Sequence, residues 1–306
     1  MPTVRKETVK PIAVLCSDLH LSLTAPACRA DPDWLHVQAE YLGQLREFSG
    51  RRNLPVLCAG DIFDRWNAPP ELINFALEHL PDGMICIPGQ HDLPGHNLNE
   101  MHRSGYGVLV KANKIIDVSD GSWRTFDDFF LKGFPWGNLL SPSGNQHGLK
   151  VALIHKYIWM PDFSYPGAPK ESMAIAVEKE LGGYDVAVFG DNHIHFSVSS
   201  PPCHIWNCGG FIRRKSDEIA YQPSVGILHS DGSIKRHRLD TSIDRFHPKS
   251  ETRDAIAVNM KEFIQSLESL GEHGLDFREA VKRHLASDKV ENSVRGIVLE
   301  AIEHHD

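Results

Sequence analysis

The sequence predicts an α/β domain built in layers. From Pro11 to about Asp240 short apolar runs alternate with helix-period patterns, as a sheet packed against helices requires. Each run is followed at once by polar residues, the arrangement of sheets that carry their chemistry on the loops at strand ends. Hydrophobic residues at 41% and charged residues at 24% are ordinary values for a folded globular chain.

Ile12 to Cys16 reads as the first core strand and Asp33 to Phe48 as the first helix. Pro55 to Ala59 follows as a strand, Pro70 to His79 as a helix and Met84 to Ile87 as a third strand. A β-rich stretch covers Trp123 to Lys132, and Leu149 to Ile154 and Asp185 to Phe189 read as strands flanking a helical pattern at Lys170 to Leu181. Within Val225 to Leu239, Ser230-Asp231-Gly232-Ser233 is a hairpin signal. Thr241 to Lys249 is polar with a proline, and beyond it every apolar stripe is helical. Ile256, Met260, Phe263, Ile264, Leu267 and Leu270 form one stripe, Phe277, Val281 and Leu285 a second, and Val294, Ile297, Val298 and Ile302 a third. A boundary near 245 follows, with residues 1–245 as the main domain and 246–306 as a helical region that packs on it or docks a partner protein.

A formal net charge of −8 gives no global attraction for nucleic acid, so a polyanionic substrate has to be met by bound metals and local basic patches. No apolar run approaches the ~18–20 residues of a membrane span, and the start is charged, so the expectation is a cytoplasmic protein without a membrane partner. Of the scattered cysteines, Cys16, Cys58 and Cys86 end apolar runs, where buried free thiols are common. Cys203 and Cys208 flank His204, but a structural zinc site needs a second ligand pair at short spacing and none is evident.

The chemistry sits at five strand tips. The first strand ends in Asp18-Leu19-His20, a carboxylate and an imidazole that point the same way from an extended segment. The second ends in Gly60-Asp61-Ile62-Phe63-Asp64, where the glycine lets Asp61 project from the tip and bridge two cations. The third ends in Gly89-Gln90-His91-Asp92, the fourth in His155 and the fifth in Gly190-Asp191-Asn192-His193-Ile194-His195. Singly each has a dull explanation as a turn or a packed histidine; five in succession, each after a buried-strand pattern, do not.

In this order the motifs resemble those of the calcineurin-like metallophosphoesterase family, D-x-H, GD-x-x-D, GN-H-D/E, H and GH-x-H, over about residues 10 to 240. The resemblance implies a two-sheet β-sandwich flanked by helices. It implies that Asp18, His20, Asp61 and the last histidine of the fifth motif hold one metal, with Asp61 bridging to a second held by Gln90, His155 and the first residue of the fifth motif. His91 falls on the family's catalytic histidine, and Asp64 on the residue that orients it. Gln90 stands where the family has asparagine, which adds a methylene to the second site. Aligned on Gly190, the fifth motif supplies Asp191 and His193; a shifted alignment uses His193 and His195. The first is preferred because the ligand pair begins directly after the strand-ending glycine. An aspartate there favours an oxygen-preferring ion such as Mn²⁺, with Mg²⁺, Fe²⁺ and Zn²⁺ as the other divalent candidates.

With paired cations to activate water no nucleophilic side chain is required, consistent with the lack of a G-x-S-x-G or P-loop signature. After the site come Gly209-Gly210-Phe211-Ile212-Arg213-Arg214-Lys215-Ser216-Asp217-Glu218, in which Arg213, Arg214 and Lys215 either grip phosphates flanking the scissile one or form a solvated run paired with Asp217 and Glu218. Within the family this stretch is similar to the DNA double-strand-break repair exonucleases, phage-type members included, which work with an SMC-like ATPase. That likeness implies DNA as substrate and an ATPase subunit on the C-terminal helices. The competing readings are a phosphoesterase for small molecules or phosphoproteins and a non-catalytic scaffold.

Overall fold

In a computed structural model, residues 8–144, 146–161, 168–200 and 203–248 are described, and the fold is that of the unit Met1–His247. Alternation along the first strand, β1 (Pro11–Cys16), generates its layers: Ala13 and Leu15 enter one apolar core, Val14 and Cys16 another. The strands β2 (Val56–Cys58) and β3 (Met84–Cys86) run parallel to β1 in register, Cys16 beside Cys58 and Cys58 beside Cys86. Buried on both faces, these strands read as unbroken apolar runs.

The helices α1 (Trp34–Gly50) and α2 (Pro70–His79) cross between them, and α3 (Gly105–Lys111) leads into β4 (Ile115–Asp117). Asp33 caps α1 by accepting the His36 N–H, and prolines at the start of α2 occupy positions whose missing N–H costs nothing. The second half supplies β5 (Trp123–Thr125), β6 (Phe130–Phe134), β7 (Lys150–His155), α4 (Ala174–Val177), β8 (Val186–Gly190), β9 (Phe196–Ser200) and β10 (Cys203–Asn207). The hairpin of β11 (Ser224–His229) and β12 (Ile234–Arg238) returns to β1. Two mixed sheets result, ordered β12-β11-β1-β2-β3-β4 and β5-β6-β7-β8-β10-β9. Leu15, Leu57 and Ile85 meet Leu153, Val188 and Trp206 in the core between the sheets. The opposite face of the first sheet packs on α1–α3, and that of the second on Ala174, Val177 and Leu181. This is the α/β two-sheet sandwich flanked by helices.

The helix expected at Lys170 to Leu181 is broken. Met173 is extended (φ −63°, ψ 134°) because it bridges Trp159, leaving α4 between two short 3₁₀ turns. The pair β9–β10 and the segment α3–β4 are additional to the elements read from the sequence. In α3 two glycines mask the helical pattern, while the Ser104 side chain caps it at the Gly107 N–H. Cys203 and Cys208 are buried free thiols, and among the described residues neither joins a group able to hold a metal. Among these residues no helix is long and apolar enough to cross a membrane. The three helices expected between 251 and 306 lie outside the described residues.

Candidate metal centre

Because β1, β2 and β3 are parallel and in register, and β7 pairs β8 with His155 beside Gly190, the tips read from the sequence emerge at one edge of the two sheets. The first two loops continue as a ladder, with Asp18 N–H on the Gly60 carbonyl (3.0 Å) and His20 N–H on that of Asp61 (3.0 Å). Asp18 (φ 55°), His20 (φ 44°), Asp61 (φ 54°) and Asp191 (φ 89°) all adopt positive φ, a conformation uncommon for side-chain-bearing residues and concentrated at functional sites. Close approach needs two glycines: a Cβ on Gly60 would strike the His155 ring, and one on Gly89 the Asp61 carboxylate.

Asp18, Asp61 and His155 bring ligand atoms within 4.8 Å of one another, as do Asp18, His20 and His193, and His20, Asp64 and His91. Asp18 is common to the first two groups, and Asp61 reaches a histidine of each. Its Oδ1 accepts the His91 N–H (3.0 Å), whereas Oδ2 is buried with no hydrogen-bond partner among the described residues, 3.4 Å from His155 Nε2 and 3.8 Å from His20 Nε2. His155 donates from Nδ1 to the Ala59 carbonyl (2.5 Å), so Nε2 is directed into the site. There it faces Asp61 Oδ2 and, at 2.7 Å, Gln90 Oε1; two acceptors converging on an imidazole nitrogen call for a proton or a cation among them. On the other side His20 Nε2 and His193 Nε2 lie 3.1 Å apart, and His193 Nε2 is 3.8 Å from Asp18 Oδ1. Asp18, His20, Asp61 and His155 thus fit a dinuclear site for divalent cations.

Electrostatics agree. Burial pushes Asp18 up to about 6, with His193 and His155 pulling the other way. Burial lowers the pKa of His20 well below the ordinary imidazole range. Burial opposes charge on His155 too, but Asp61 beside it outweighs burial and raises its pKa; the same contact holds Asp61 low against burial.

The remaining residues divide. Gln90 turns its amide oxygen to His155 and donates from Nε2 to Asp191 Oδ1 (2.8 Å), while the Asp191 N–H donates to both Asp18 oxygens at 3.1 Å. Asp191 therefore borders the centre through its backbone and through Gln90. His195 turns away, donating from Nδ1 to the Asn207 carbonyl (2.7 Å) with its ring 4.3 Å from that of Trp206. His91 Nδ1 sits on the backbone carbonyl of Asp64 (2.8 Å), so the main chain orients it, while the Asp64 carboxylate pairs with Arg214 (2.7 Å).

The basic triplet is not one surface. Arg213 is committed inward, with Nε on Asp244 Oδ2 (2.7 Å) and Nη1 on the Ile219 carbonyl (2.7 Å). Arg29 and Tyr41 share Asp244, completing a buried network. Lys215 lines a cleft of ≈ 670 Å³ beside the centre, with Gln90, His91, Tyr157, Asp191 and Tyr221.

Three positions carry roles that sequence reasoning missed. The buried Asp92 carboxylate accepts the N–H groups of Ile62 (3.2 Å), Phe63 (3.0 Å) and Gly89 (3.1 Å), tying the second and third loops together. Burial and Asp61 push it up to about 8 against the pull of those N–H groups. Asn207 donates to the carbonyls of Asn192 and Ile194 (2.7 Å each) and so shapes the fifth loop. Glu218 meets His193, at 3.4 Å. Asp92 was visible inside its motif; Glu218 read only as the partner of a surface charge run.

A search of solved structures finds an archaeal phosphodiesterase at 15% identity and TM-score 0.38, covering 74% of this chain and 99% of that one. It also finds a metallophosphoesterase from Sphaerobacter thermophilus (15% identity, TM-score 0.39, covering 76% and 89%) and a putative 5'-nucleotidase from Staphylococcus aureus (11% identity, TM-score 0.43, covering 84% and 57%). No curated protein matches. The family model for calcineurin-like phosphoesterase matches residues 13–195, a span that holds all five strand tips. With those tips gathered at one edge of a two-sheet sandwich, the chain belongs to the calcineurin-like phosphoesterase family of hydrolases.

Proposed function

We propose that this chain is a dinuclear metal-dependent phosphodiesterase whose substrate is a DNA strand, acting as an exonuclease in repair or recombination. The observation that carries the hydrolytic reading is Asp61 Oδ2, buried between His20 and His155 with no hydrogen-bond partner among the described residues. Asp18, His20, Asp61 and His193 would hold one cation, and Asp61, His155 and Gln90 the other, with Asp191 bounding the second position; Mn²⁺ is the ion to test first. Such a pair, when bound, lowers the pKa of a water, orients the phosphate and neutralises charge developing in an in-line displacement. His91, held at Nδ1 by the Asp64 carbonyl, turns Nε2 toward the phosphoryl oxygens or the leaving group. Asp92 keeps the His91 loop against the Asp61 loop.

Support for DNA comes from the open cleft beside the centre and from Lys215 and Arg214 on the segment that forms its wall. One observation favours the second reading, a small phosphodiester: Arg213 and Arg214 are engaged by Asp244 and Asp64, and Asp217 and Glu218 share the wall with Lys215. An SMC-like ATPase subunit on the C-terminal region belongs to the DNA reading and not to the other.

The test is hydrolysis of labelled single- and double-stranded DNA and of a chromogenic phosphodiester, with Mn²⁺ and with chelator, for wild type and Asp61→Ala. Metal-dependent loss of DNA that Asp61→Ala abolishes supports the nuclease. Cleavage of the chromogenic diester alone moves the assignment to small substrates, and no hydrolysis of either overturns both.

A further inference from the structure

Glu218 uses its two oxygens for two different parts of the site. Oε1 lies 3.4 Å from Nδ1 of His193, whose Nε2 faces His20 and Asp18. Oε2 accepts the backbone N–H groups of Arg214 (2.6 Å) and Lys215 (3.1 Å). The side chain is only 11% exposed, and the same segment is latched at its other end by the Arg214–Asp64 ion pair at 2.7 Å. One carboxylate therefore holds both a ring that faces the metal centre and the backbone that forms a wall of the cleft.

A hydrogen-bonded Nδ1 fixes the tautomer and ring plane of a metal-ligating histidine, and losing such a partner typically weakens metal binding about 10–100-fold. Only a carboxylate serves here. It offers acceptors on both oxygens, whereas an amide has one acceptor and must abandon either His193 or the two N–H groups.

We propose that Glu218 is a positioning residue that sets the cation affinity of the Asp18–His20–His193 side of the centre and, with the same carboxylate, keeps the Arg214–Lys215 segment in register with it. The inference rests on the dinuclear reading of the site and names a residue that the reading does not require.

Calorimetric titration of the chelator-treated full chain with Mn²⁺ tests it, on wild type, Glu218→Gln and Glu218→Asp, beside thermal unfolding of each in chelator. Wild type is expected to bind two ions. Glu218→Gln should weaken one of the two events about 10–100-fold and leave the other unchanged. Glu218→Asp keeps the carboxylate for the backbone N–H groups but draws it back from His193, so it should weaken the same event by less. The proposal is overturned if Glu218→Gln unfolds like wild type in chelator and binds both ions with wild-type affinity. It is overturned equally if both events weaken together in step with a fall in Tm, which is what a merely structural role would give. Should Glu218→Gln not fold, wild-type affinities in a folded Glu218→Asp overturn it. A wild type that binds fewer than two ions removes the dinuclear reading itself; two ions in wild type with unchanged variants remove only the role of Glu218.

Discussion

Asp61 Oδ2 lies 3.4 Å from Nε2 of His155, so a carboxylate at a strand tip of the first sheet meets an imidazole on β7 of the second. That contact joins the two sheets at the edge where the strand tips gather. It also exposes the cost of the arrangement, a buried carboxylate oxygen with no hydrogen bond of its own among the described residues.

Metal should stabilise the fold through that oxygen. A ligand at 100 times its Kd adds about 2.7 kcal/mol to the stability of the state that binds it. Mn²⁺ added to chelator-treated protein should raise Tm by several degrees in scanning fluorimetry, and Asp61→Ala should lose the rise. An identical Tm with and without metal in wild type argues against the centre.

His91→Ala should act on rate rather than on metal content. Removing a positioned acid or base typically costs roughly 10²–10⁴ in kcat. Asp64→Ala leaves the backbone carbonyl that orients His91 in place and should cost less. A larger loss in Asp64→Ala than in His91→Ala would show that the carboxylate, not the main chain, governs the imidazole.

Asp92→Ala should destabilise the protein even in chelator. It strands the N–H groups of Ile62, Phe63 and Gly89, each worth roughly 1–3 kcal/mol when left buried without an acceptor. Urea unfolding measures the loss, and a change below about 1 kcal/mol would mean that water replaces the carboxylate.

Arg213 and Lys215 should separate cleanly. Arg213→Ala removes one partner of a buried carboxylate, a change that costs about 3–5 kcal/mol in comparable pairs, and should lower Tm. Lys215→Ala should leave Tm alone and raise KM for a polyanionic substrate. Equal Tm for the two variants would return Arg213 to the surface.

His204 and His195 should each draw stability down as the medium is acidified from pH 7 to pH 5, against Asp18, Asp92 and His155, whose raised values act the other way. Burial lowers the pKa of His204, which donates from Nδ1 to the Gly232 carbonyl and accepts at Nε2 from Ser197 and Ser199, and burial pushes His195 down to about 4. Both folded values lie below the ordinary imidazole pKa of about 6.5, so at these two positions the unfolded chain binds more protons in that window and is favoured as pH drops. Lowering the pH from 7 to 5 should move the urea midpoint less downward, or further upward, in His204→Gln than in wild type. An equal slope in the two proteins would remove His204 from the effect.

What the sequence determined by itself is the set of strand tips. Asp18, Asp61, Gln90 and His155 were legible because each follows an apolar run that can only be a buried strand, and parallel strands in register must end at one edge. The tertiary structure decided which way each side chain turns. Spacing allowed Asp191 with His193, or His193 with His195, to face the centre; the Asn207 carbonyl and the Trp206 ring take His195, and Glu218 takes the far side of His193. Arg213, Arg214 and Lys215 are adjacent and alike in sequence, yet Asp244, Asp64 and the open cleft give them three different environments. The physical reason is range: hydrophobic periodicity is written into a few neighbouring residues, whereas the partner of a polar side chain is brought to it from elsewhere in the chain by the packing of the sheets.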